Sequence, residues 1–153
     1  MPDGIKKIFQ GPVTQVDATD LEELGTIRFE GNNIYKYITY HAGAMTTGAV
    51  GDVVSYLSTT GYANSDVTPD TSAADGVGAG VLLAAMTDGQ FGWIQIKGAA
   101  TLSTAIGGGG DGLAITTDGA ADRAAIVCNA DNEFQIGAVI TSSAKTVVCD
   151  FPF

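Results

Sequence analysis

Residues 80–97, GVLLAAMTDGQFGWIQIK, decide the fold class. Two apolar runs flank Thr87-Asp88-Gly89-Gln90, and Asp-Gly supplies the positive φ that a tight hairpin turn needs at little steric cost. The stretch therefore predicts a β-hairpin with an aromatic returning strand. In that strand, period-two alternation puts Ile94 and Ile96 on one face and Phe91, Trp93, Gln95 and Lys97 on the other. A strand that is apolar on both faces needs two burial partners. The isoleucines suit the domain's own core, whereas Phe91 and Trp93 need a loop, a second layer or another chain over them.

The chain around this hairpin has 153 residues, one domain's worth, and 45% hydrophobic content can fill a single core. Twenty-one glycines against only 16% charged residues describe a turn-rich chain of short strands. The expected class is all-β, a small β-barrel or β-sandwich. Seven basic residues stand against 17 acidic ones, a formal charge of -10, which repels phosphate backbones and anionic membrane surfaces. Neither nucleic acid nor membrane is an expected partner. No apolar run reaches membrane-spanning length, and MPDGIKKIFQ lacks the apolar segment of a secretory signal, so synthesis in the cytoplasm is expected. Cys128 and Cys149 lie in strand-like runs where a small apolar side chain suits a core. Packing is the expected role, with a disulfide as the alternative.

Residues 1–23 form an expected amino-terminal unit, with Pro2, Gly4, Gly11 and Pro12 breaking any regular period. It reads as an extended arm in which Ile5, Lys6, Lys7, Ile8 and Phe9 mix apolar and basic character. Such a segment should lie on something, and these five residues are candidates for contact with another subunit. Thr19-Asp20-Leu21-Glu22 has capping-box spacing and Gly25 is a stop, so one short helical turn is expected here. The β-domain then spans residues 24–153. TIRFE and NIYKYITY, joined by Gly31-Asn32, predict a second hairpin in which Ile27 shares a face with Phe29, and Tyr35 with Tyr37. Tyrosine joins an apolar ring to a polar tip, so Tyr35 and Tyr37 join Phe91 and Trp93 as candidate subunit-contact residues.

Further strands are expected over 51–57, 113–117, 121–128, 133–141 and 146–151, the last two pairing as a hairpin. Residues 58–78 show no apolar periodicity and read as a long loop, and long loops usually have a function. The tract Gly107-Gly108-Gly109-Gly110 lacks the Lys-Ser/Thr of a phosphate loop and reads as a flexible turn. His41 is the sole histidine, and no serine has a nucleophile-elbow context. The carboxylates at Asp88, Asp111, Asp118, Asp122 and Asp131 occupy turn-like settings. No enzyme, cofactor or metal site is expected.

Taken in order, Leu24-Gly25-Thr26, an aromatic strand over 34–40, GDVV from Gly51, FGWIQIKG from Phe91, GDGL from Gly110, IGAVI from Ile136 and VVCDF from Val147 form a recognisable series. It resembles the small decoration, or cement, proteins of tailed-bacteriophage capsids. The resemblance implies a β-barrel or β-sandwich on the outer capsid surface of the virion, often a homotrimer, that staples neighbouring subunits of the major capsid protein. No catalytic residue carries over. The alternative from another class is a head-fibre or carbohydrate-binding module in which Trp93, Tyr35 and Tyr62 stack on sugar rings.

Overall fold

The computed structural model describes residues 7–58, 61–70, 72–104, 113–118, 123–128, 137–141 and 145–152. Among them the chain order is β1 (Val16–Asp17), β2 (Ile27–Glu30), β3 (Asn33–Tyr40), β4 (Thr47–Gly48), β5 (Val53–Leu57), α1 (Gly61–Asn64), β6 (Asp66–Thr68), β7 (Ala74–Leu82), β8 (Met86–Thr87), β9 (Phe91–Thr101), β10 (Leu113–Asp118), β11 (Arg123–Cys128), β12 (Gly137–Thr141) and β13 (Thr146–Asp150). The protein is nearly all-β, 49% strand and 4% helix, and is built on a closed five-stranded barrel with extra strands.

The barrel closes because β9 pairs with both β3 and β7, β7 with β5, β5 with β6, and β6 back onto β3. The β3–β6 pair is parallel, and the other four are antiparallel. Closure leaves these five strands with no open hydrogen-bonding edge along the ladder they share. β3 and β9 each send alternate residues inward: Ile38 and Tyr40 from one, Ile94, Ile96 and Ala100 from the other. Val54, Tyr56, Val67, Val81 and Leu82 meet them, each at most 1% exposed. β2 lies outside β3, while β1 and the β12–β13 hairpin lie along β9.

The expected turn at Thr87-Asp88-Gly89-Gln90 forms, with the Gln90 amide donating to the Thr87 carbonyl at 3.2 Å and Gly89 at φ +78°. The hairpin around it is wider than the sequence suggests. β7 pairs with β9 only at Val81 and Leu82, and the connecting residues lead to β8, which pairs with β4. The second hairpin forms as read, Gly31-Asn32 linking Glu30 to its partner Asn33.

Two expectations are corrected. Residues 19–24 contain no helical turn, because Asp20 accepts from the Leu24 amide at 3.2 Å and Glu23 takes a left-handed φ of +67°. Residues 58–78 are not one long loop, since they hold α1, β6 and the start of β7. Only three residues long, β6 closes the barrel with Val67 fully buried, too short a strand to show as a period. The four-glycine tract and the Cys128 side chain lie outside the described residues. Cys149 is a free, buried thiol.

Candidate functional site: an aromatic face under the arm

The Tyr35 and Tyr37 side chains leave β3 on the face opposite the barrel interior. β9 lies antiparallel beside them, with Tyr37 directly across from Trp93. Tyr35, Tyr37 and Trp93 form a second buried cluster, against which Phe9, Val13, Leu24, Leu83 and Phe91 pack. Phe9 meets Trp93 edge-on at 5.4 Å between centroids, and Tyr37 meets it at 5.1 Å. Phe91 stacks on Tyr37 at 6.5 Å. Each such pair contributes about 0.5–1.5 kcal/mol beyond the area it buries.

The cover over this face is the chain's own arm. Arg28, directly across from Tyr35, holds its guanidinium 4.7 Å from the Phe9 ring centre and 5.7 Å from that of Trp93. Its Nη1 donates to the Gly11 carbonyl at 2.6 Å, and it pairs with Glu30. Lys7 Nζ donates to the Glu22 carbonyl, and to Thr26 Oγ1 at 2.9 Å. The Gln10 amide donates to Glu22 Oε1 at 2.6 Å. Tyr37 donates its hydroxyl to Asp17 Oδ2 at 2.9 Å. Desolvation, reinforced by that acceptor, pushes the Tyr37 phenol well above its ordinary range.

Of the residues singled out from the sequence, Tyr35, Tyr37, Phe91, Trp93 and Phe9 therefore come together in one cluster. In this chain Tyr35, Tyr37 and Trp93 are buried beneath the arm. Trp93 and Tyr35, at 3% and 6% exposure, likewise offer no open ring to a sugar. Lys7 is engaged with Glu22 and Thr26. Ile8 points away from the body, 87% exposed, and Ile5 and Lys6 lie outside the described residues. Arg28 was missed, although the two-residue turn at Gly31-Asn32 already placed it opposite Tyr35.

A second cluster the sequence did not disclose lies at Lys36, on the interior face of β3. Its Nζ donates to the Tyr56 hydroxyl at 2.9 Å and sits 4.9 Å and 5.5 Å from the ring centres of Tyr56 and Tyr62. Among the described residues no carboxylate pairs with it. Desolvation lowers the Lys36 pKa and raises that of Tyr56 to about 12. His41 has Asp66 at 3.6 Å and Asp88 at 3.9 Å, beyond direct hydrogen-bond reach.

An exposed apolar side chain stands on a strand at one end of the sheet. Within the described residues β2 pairs only with β3, leaving its other side open, and Phe29 on it is 70% exposed. Beside the hairpin tip a groove of about 760 Å³ is lined by Glu30, Asn33, Lys97, Gly98, Val148 and Asp150, with Lys97 paired to Asp150 at 3.1 Å. Gly98 is required here: its φ is +99°, and a Cβ would sit 2.1 Å from Asn33 Oδ1. No family model, no curated protein and no solved structure matches this chain.

Proposed function

We propose that this protein is a structural component of a virion that decorates the outer capsid surface and cements neighbouring subunits of the major capsid protein. The observation that carries the reading is the open edge of β2, with Phe29 exposed on an otherwise acidic body and the groove with Val148 alongside. An unpaired strand edge accepts an extended segment of another protein through backbone hydrogen bonds, and adjacent apolar side chains select it. The order of sequence motifs supports the same reading. The charge of -10 suits an outer shell better than the DNA-facing side. Many modest contacts repeated over a shell then sum to a large stabilisation of the assembled particle.

Mixing the purified protein with expanded capsids of a tailed phage, and imaging the particles, tests this. Bound density on the outer surface and a raised rupture temperature are expected. Phe29→Asp should lower occupancy tenfold or more while leaving the melting temperature of the free protein within about 2 °C, as surface substitutions do. Failure to bind capsids in any state of expansion, with binding on a glycan array instead, would replace this reading with the carbohydrate-binding alternative.

A further inference from the structure

We infer that the arm is exchanged between copies of this chain, so that each copy's aromatic face is covered by a neighbour's residues 7–22. This inference goes beyond the capsid reading and does not rest on it.

The arm and the body meet through contacts that are indifferent to which chain supplies the arm. Phe9 on Trp93, the Arg28 guanidinium on the Gly11 carbonyl, Tyr37 on Asp17, and the short ladder Val16↔Gly92 and Asp17↔Phe91 would all reform in trans. Two contacts, Lys7 and Gln10 to Glu22, lie within residues 7–22 and travel with the segment. The arm moves as a unit that ends at Glu22.

The next residues behave as a hinge. Glu23 has a φ of +67° and Gly25 of +81°, the two left-handed positions that fold the arm back onto its own domain. For a residue with a Cβ that conformation is strained, and extending the chain through Glu23 relieves it. Straightening forfeits few bonds: the Leu24 amide to Asp20, the Thr26 amide to the Glu23 carbonyl, the Thr26 hydroxyl to the Glu22 carbonyl and, where Gly25 turns, the Gly25 amide to the Tyr37 carbonyl. Short hinge loops under strain are where exchange of identical elements occurs. Opening into solvent is a different matter, because it would uncover Tyr35, Tyr37 and Trp93 together. The open form is therefore stable only when another copy's arm arrives.

A cysteine pair placed across the ladder, Val16→Cys with Gly92→Cys, reads out which chain covers which. A Cβ at Gly92 crowds the flexible end of Met86 and meets the Gln15 carbonyl at ordinary contact distance. After refolding over a range of protein concentrations and oxidation, denaturing gels separate intrachain bridges from covalent dimers and rings, with Val16→Cys alone as the background. The interchain fraction should rise with concentration. Deleting Glu23 in the same background, which removes the fold-back, should raise it severalfold, and Glu23→Gly, which removes the strain, should lower it severalfold. Intrachain bridges alone at every concentration in the unaltered hinge would overturn the inference. So would an interchain fraction that ignores both hinge changes while circular dichroism shows a folded barrel.

Discussion

Trp93 is 3% exposed and packs as core against Tyr35, Tyr37 and the arm residue Phe9, so its removal costs stability. Trp93→Ala should cost about 3–5 kcal/mol in a denaturant or thermal melt, because Phe9, Tyr37 and Arg28 would face a cavity. A loss under about 1 kcal/mol would contradict this placement of the ring. Lys36 makes the opposite case. Burying an ammonium against two tyrosines with no carboxylate beside it, among the described residues, costs desolvation energy that one hydrogen bond and two ring contacts only partly return. Lys36→Met keeps the volume and removes the charge, and should stabilise the fold by about 1–4 kcal/mol in the same melt.

At the scale of elements, the arm is part of the fold. Deleting residues 1–15 strips Phe9 and Val13 from the aromatic face, and should lower stability by about 2–4 kcal/mol while raising binding of a hydrophobic dye. An unchanged melting temperature with no dye binding would show that the face is covered otherwise. Alternation along NIYKYITY and FGWIQIK was enough to sort the two faces of β3 and β9, and the Asp-Gly and Gly-Asn turns were legible as turns. The partner of the second face was not legible, since nothing in the period of a strand says whether a loop, a layer or a neighbour lies over it. Residues 58–78 misled for a related reason. β6 is held by ladder bonds to two barrel strands and by one buried valine, and three residues cannot display a period. The apparent capping box failed because Asp20, one residue after Thr19, captured the Leu24 amide and turned the chain away.

For the whole molecule, alkaline pH is the weak side. Burial raises the Cys149 thiol from 9.0 to about 12 and the Tyr56 phenol from 10.0 to about 12, and Tyr37 is raised as well. A group whose value is raised by folding contributes stability that is complete below its unfolded value and is lost as pH climbs through the folded one. Lys36 acts in the other direction: its folded value lies below 10.5, so the penalty of its burial fades as pH rises towards that figure. Cys149 alone opposes Lys36 until the tyrosines join it above their unfolded value of 10.0, and the net slope is downward from there. Urea midpoints taken between pH 8 and 11 should fall once pH passes the unfolded tyrosine value of 10.0, and Cys149→Ala should make that fall shallower. A midpoint that climbs across the whole range would show that Lys36 dominates.

The closed barrel also sets an order of events in time. β3 cannot gain its long antiparallel partner until β9, which pairs Tyr37 with Trp93, has left the ribosome. Such distant pairings make folding slow, and until then an Ile- and Tyr-rich strand has no complete ladder to occupy. A positive charge in the middle of such a segment interrupts its pairing with identical strands on other nascent chains. Lys36 stands at that position, so Lys36→Met, which should stabilise the finished barrel, should also raise the aggregated fraction when the chain is refolded at high concentration.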